Sequence, residues 1–185
     1  MKKLSEMTLE ELWALFPIIL TEHRAEWVDW FAQEKALLDS LLPEARISHI
    51  GSTAIGGIWA KPIVDILVET ADDADWQSIR ETLTVQGGYI CMSAGQERMS
   101  FNKGYTPVGF AEKVFHLHLR RRGDNDELYF RDYMNEHPEA AQAYERLKLD
   151  LWKPYEHDRD GYTAQKAEMV AQYTQTAREL YGARY

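Results

Sequence analysis

The run "IVDILV", residues 63–68, is apolar except for Asp65. A carboxylate among Ile63, Val64, Ile66, Leu67 and Val68 is costly to bury unless a cation or hydrogen bonds satisfy it. Asp65 reads either as half of a structural ion pair or as a site residue able to hold a divalent cation. Upstream, Gly51-Ser52 ends another apolar stretch, "RISHI". Glycine allows close approach to the backbone, and the N–H groups and serine hydroxyl that follow suit an anion such as phosphate. The same dipeptide is also an ordinary turn after a strand. Lys61, just before the second run, offers a point charge to the same phosphate. A second cluster is "FHLHLR", where His116 and His118 stand two apart and so share one strand face. That pair is half of a site for Zn, Mn, Fe or Ni, or two hydrogen-bonded sheet histidines. His49, at the end of "RISHI", is a further candidate ligand with packing as its alternative role.

These residues need elements to position them. "RISHI" and "IVDILV" read as strands on either side of the Gly-Ser turn. "YICM", "RMSFNK" and "KVFHLHLR" read as three more, the last alternating between apolar and polar positions. Thr8 with Glu11 forms a capping box that opens a short helix ending before Pro17. Trp27, Trp30, Phe31, Glu34, Leu38 and Leu41 recur every three or four residues, which predicts a helix over about 22–41. "DADWQSIRETLTVQ" predicts another, stopped by Gly87-Gly88. From about residue 126 the pattern is helical, with Pro138 in a first turn and a final helix from about 160. The large aromatic residues at helical spacing, Trp27, Trp30 and Tyr144 among them, read as core.

Composition narrows the function classes. Twenty-one basic residues against thirty acidic ones give a net charge of −9, which argues against general nucleic-acid or anionic-membrane binding. A local basic pocket stays open. Arg98 and Lys103 flank a strand hairpin, while Arg131, Lys148, Arg159 and Lys166 lie in the helical third. Taken singly, each reads as a solvated surface charge. Cys91 is the only cysteine, so neither an intrachain disulfide nor a Cys-rich metal cage is available. Glu6, Glu10 and Glu11 interrupt any apolar signal core, and no apolar run approaches membrane-spanning length. The expectation is a soluble cytoplasmic protein.

Taken together, "HIGSTAIGGIWAKPIVDILV", "RMSFNKG", "FHLHL", "FRDYMNEHPEAAQAYERLK" and "YTAQKAEMV" resemble the GrpB family, over roughly residues 20–175. That family lies within the nucleotidyltransferase superfamily, which includes DNA polymerase beta. The resemblance implies an α/β (α+β) fold: a nucleotidyltransferase-like mixed sheet core with flanking helices and a helical C-terminal third. It implies a single domain over 1–185, with a helical N-terminus at 8–41, an αβ core at 45–122 and C-terminal helices at 126–182. Gly51 and Ser52 fall on the superfamily's triphosphate-contacting turn. Asp65 falls on the first carboxylate of its metal-binding Asp-x-Asp/Glu pair. Here the pattern breaks, because the second carboxylate position is Leu67 and the third strand offers His116 and His118 instead of an acid. Glu69 shares the face of Asp65 but lies far along the strand. Two-metal phosphoryl transfer needs several carboxylates, and the GrpB family tends to show the same departure.

The resulting site set has Asp65 as the catalytic residue and Asp65, His116 and His118 as ligands for Mg, Mn or Zn. Gly51, Ser52, Lys61, Arg98, Lys103 and Lys166 are the phosphate partners, Lys166 sharing a helix face with Tyr162 in the family's "YTxxK" segment. Some members are fused to dephospho-coenzyme A kinase, so the expected partner is a nucleotide or another phosphorylated small molecule, including a coenzyme A-related one. Three functions fit: a nucleotidyl- or phosphoryl-transferring enzyme, a catalytically reduced nucleotide- or coenzyme-binding module, and a His/Asp metal-dependent enzyme of another reaction type. All three require strands at about 46–50, 63–69 and 113–121 in one sheet, with Gly51, Asp65 and His118 gathered at one end.

Overall fold

The computed structural model describes residues 2–185. Helix α1, Leu9–Leu15, opens on the expected capping box. The Thr8 hydroxyl accepts from Glu11 N–H at 3.2 Å, and the Glu11 carboxylate accepts from Thr8 N–H at 2.7 Å. Helix α2, Glu26–Leu41, starts later than the spacing predicts. Thr21 is held extended in a two-way backbone bridge to Ala60 at 2.9 and 3.0 Å, so the helix can begin only after it.

Five strands follow the order β1-β2-β5-β4-β3. They are β1 Arg46–Ile50, β2 Val64–Thr70, β3 Ile90–Ala94, β4 Arg98–Thr106 and β5 Gly109–Arg121. Only β2 and β5 run parallel; β1 pairs antiparallel with β2, and β4 pairs antiparallel with both β5 and β3. The crossover from β2 carries α3, Trp76–Val85.

Alternation sorts each strand into two faces. Val64, Ile66, Val68, Phe115, Leu117 and Leu119 turn to one side and pack with Trp27, Trp30, Leu38, Trp76 and Leu83. Burying each such side chain is worth roughly 1.5–3 kcal/mol, so this layer fixes the register of the central strands. The opposite face carries Asp65, Leu67 and Glu69 beside His116, His118 and Arg120. That face meets the helical C-terminal third: α4 Asp126–Glu136, α5 Pro138–Trp152 with proline in its first turn, and α6 Arg159–Tyr181. Leu128 of α4 seals Ile50 and Leu67. Phe130 and Met134 continue the seam against Ile55, Ile58 and Tyr144. Among the described residues, no helix is long and apolar enough to cross a membrane.

Candidate functional site

Asp65 sits near the start of β2, level with His116 in the parallel register and diagonal to His118. Its Oδ1 lies 3.4 Å from His116 Nδ1 and 3.3 Å from His118 Nε2. Burial pushes the Asp65 carboxyl up, but the hydrogen bonds and charge of the two imidazoles outweigh it and hold the group well below the usual carboxylate range. Asp65 is therefore ionised. Its other side rests on Gly51, which has φ +71° and would carry a Cβ only 2.5 Å from Asp65 Oδ2. Gly51, Asp65 and His118 thus meet at one end of the sheet, and all three line a cleft of about 760 Å³ walled by Phe130, Tyr144 and Arg178.

A hydrogen-bonded chain leads away from the carboxylate. Arg159 Nη1 donates to the Tyr105 hydroxyl at 2.9 Å, and that hydroxyl lies 2.7 Å from His116 Nε2. Because Tyr105 already accepts from the guanidinium, its O–H donates to Nε2, leaving the His116 proton on Nδ1, facing Asp65. Burial pushes His116 below the ordinary imidazole range, against the pull of Asp65. Burial likewise raises the Tyr105 phenol.

Around this chain stand Lys61 before β2, Lys148 on α5, and Arg159 and Lys166 on α6. Among the described residues, none of the four has a carboxylate within 4.0 Å. The amines lean on aromatic faces instead. Lys166 Nζ is 4.3 Å from the Tyr162 ring centroid, Lys61 Nζ is 5.5 Å from the same ring, and Lys148 Nζ is 4.9 Å from Tyr144. Lys148 also donates to the Trp59 carbonyl. Burial, then repulsion from Lys166 and Arg159, lowers Lys61 to about 7. Burial and Lys166 lower Lys148 to about 7 as well. Lys166 falls to about 8 through burial, with Asp65 acting against the drop. Among the described residues, Arg159 Nε and the Tyr162 hydroxyl are buried without a hydrogen-bond partner. Ser52 opens a short 3₁₀ turn, Ser52–Ala54, and its side chain bears on the Tyr144 phenol, which burial pushes up to about 12.

Two expected phosphate partners lie elsewhere. Lys103 belongs to the alternate positions of β4 and emerges on the α2 side, where Nζ donates to both Glu34 oxygens at 2.7 and 3.0 Å. Arg98 shares the face of His118 but sits level with Arg120, past the end of the site, in a bidentate pair with Asp124 at 2.9 and 2.8 Å. His49 also points to the α2 side, stacked on Phe31 and 2.9 Å from the Thr53 hydroxyl, and burial lowers it to about 4. Glu69 is fully buried and accepts from Gly123 N–H and the Asn125 amide. Tyr105 was not distinguishable in the sequence, and Lys148 and Arg159 read there as isolated charges. One signal was present: Tyr144-Lys148 and Tyr162-Lys166 repeat the same four-residue spacing on two helices.

The gathered residues do not fit the expected divalent metal. Among the described residues, no group of three or more His, Cys, Asp or Glu side chains forms a ligand set. Asp65, His116 and His118 do come together, but both His116 nitrogens are engaged, Leu67 is fully buried, and the one carboxylate already faces Lys61 and Lys166.

Residues 17–176 match the family model described as GrpB protein. The chain is 36% identical over 160 residues to the glutamate-rich protein GrpB of Alkalihalophilus pseudofirmus, covering 83% of this chain and 91% of the relative. It is 37% identical over 149 residues to a UPF0157 protein of Pseudomonas aeruginosa, covering 78% of this chain but only 61% of that longer one. The crystal structure of the conserved protein GrpB from Enterococcus faecalis superimposes with a TM-score of 0.74 at 25% identity, covering 88% of this chain and 99% of that one. A GLD-2/RNP-8 complex structure gives a TM-score of 0.53 at 9% identity, covering 88% and 67%, which is a likeness of fold alone.

Proposed function

The chain belongs to the GrpB family and has its nucleotidyltransferase-like fold, and from that premise we propose that it binds a nucleotide or coenzyme A-type phosphorylated small molecule above Asp65. One observation carries the reading. Among the described residues, Lys61, Lys148, Arg159 and Lys166 crowd together with no carboxylate within 4.0 Å of any of them, an arrangement that favours an anionic ligand. The cleft beside them is large enough for a nucleoside, and Phe130 and Tyr144 give it an apolar wall. Such a metabolite ligand, together with a chain carrying a single cysteine, fits the cytoplasm.

A second reading, transfer of the bound nucleotidyl or phosphoryl group, draws on His118. This imidazole lines the cleft and is oriented by the Asp65 carboxylate, as a general base for an acceptor hydroxyl must be. The test is thermal shift against ATP, ADP, coenzyme A, dephospho-coenzyme A and adenosine, followed by assay of any binder for consumption. A phosphorylated ligand should raise the melting temperature and adenosine should not, because only a ligand held by the native state stabilises it. The rise should shrink in Lys166→Met. Turnover, where found, should vanish in Asp65→Asn. If no phosphorylated ligand moves the transition, the binding reading fails.

A further inference from the structure

In a two-metal transferase, cations held by several carboxylates neutralise the ligand's phosphates. This chain keeps one of those carboxylates and surrounds it with positive side chains. We propose that Lys61, Lys148, Arg159 and Lys166 take the place of the divalent ions, making this a metal-independent site for two or more adjacent phosphates. The proposal deepens the phosphate-ligand reading above and rests on it.

Four cations face two acids, Asp65 and, beside Lys148, Glu145, which leaves a positive excess when all are protonated. How that excess is arranged sets the ligand. The cations come from the segment before β2, from α5 and from α6, so they converge from three directions instead of forming a surface row. The aromatic faces of Tyr144 and Tyr162 hold the amines in place away from bulk water. Tyr162 is fully buried, and among the described residues neither its hydroxyl nor the buried Arg159 Nε has a hydrogen-bond partner; these are two donors beside the amines that await an acceptor. A divalent ion placed on Asp65 would instead meet repulsion from Lys61 and Lys166. Its two imidazole partners would also have to surrender the hydrogen bonds that now hold the carboxylate.

The test is calorimetric titration of the full chain at pH 7, first in EDTA and then in magnesium with ligand speciation corrected. The probes are inorganic pyrophosphate, orthophosphate and ADP. Pyrophosphate should bind in EDTA at least about tenfold more tightly than orthophosphate, and magnesium should change its affinity by less than about twofold. Lys166→Met should weaken pyrophosphate about tenfold, the order of one lost charge-assisted contact, while Arg98→Ala should leave it unchanged. The wild-type comparison with and without magnesium stands even if the Lys166 variant folds poorly. Binding of ADP only in magnesium would overturn the proposal and leave the nucleotide reading intact. Metal-free pyrophosphate binding with no binding of ADP would do the reverse. Equal affinity for orthophosphate and pyrophosphate, or no pyrophosphate binding in either buffer, would also overturn it.

Discussion

The Asp65 carboxylate lies against the bare Cα of Gly51, where a Cβ would come within 2.5 Å of Oδ2. Ile50 stands opposite Asp65 in the antiparallel register, so the residue after it turns across the carboxylate. Gly51 does so with φ +71° and ψ −172°, a conformation open essentially only to glycine. Gly51→Ala should therefore cost twice, about 1–3 kcal/mol for the backbone and a further share for the collision. A double-mutant cycle separates the two, read from denaturant midpoints. In an Asp65→Ala background the collision disappears, and the penalty should shrink by more than about 0.5 kcal/mol. An unchanged penalty would mean that the carboxylate contact plays no part.

That contact also explains what was legible in the sequence. A glycine ending one strand and an acid interrupting the next apolar strand are local signals, and so is the two-residue spacing of His116 and His118. The parity of a strand places such residues on one face, so the Asp65–His116–His118 cluster followed from the pattern. Parity fails for Tyr105, because the pairing of β4 with β5 slips at a bulge between Lys103 and Tyr105 and turns Tyr105 onto the face of His116. Lys103, expected beside the phosphate, lies before that bulge on the face of Phe115, where Glu34, an odd acid in an apolar helical stripe, is its partner. The convergence of Lys61, Lys148 and Arg159 depends on how α5 and α6 pack on the sheet, which no local spacing encodes.

The lysine cluster should leave a signature in stability. Lys61 and Lys148 fall to about 7 and Lys166 to about 8 in the folded chain, against an ordinary value of 10.5. Asp65 and His116 from the sheet, Glu145 from α5 and Arg159 from α6 face them. Between those values the unfolded chain binds more protons than the native one, so stability must rise with pH. The destabilisation is fully present below about pH 7 and fades toward about pH 10. Urea midpoints measured from pH 6.5 to 9.5 should climb less steeply in Lys166→Met than in the parent. Parallel slopes would sink the idea.

Lys103 separates stability from binding. Its ammonium and the Tyr89 hydroxyl, which donates at 2.8 Å, are what satisfy the buried Glu34 carboxylate. Lys103→Met strands that charge and should cost about 3 kcal/mol. Adding Glu34→Leu should recover most of the loss. Affinity for any phosphorylated ligand should not move in either variant, since both side chains lie on the far face of the sheet from Asp65. A weakened ligand with unchanged stability would return Lys103 to the site.

Leu67 occupies the position where a second metal-binding acid would stand, and restoring that acid tests whether this fold can still use it. The side chain is fully buried in the seam of Ile50 and Leu128, level with His118 on β5. Leu67→Asp removes a packed aliphatic group, opens a void beneath α4 and places a carboxylate among apolar neighbours, level with His118. The lost packing and the poorly paired charge together should cost about 3–5 kcal/mol. Magnesium should not repay it, because the new acid faces apolar neighbours while Asp65 is already held by two imidazoles and surrounded by cations. The measurement is the melting temperature of Leu67→Asp against its parent, with magnesium titrated into both. The expected result is a large drop that magnesium leaves unchanged. A variant as stable as the parent, whose transition climbs with magnesium, would show that one substitution rebuilds the metal site and that the cations do not stand in for it.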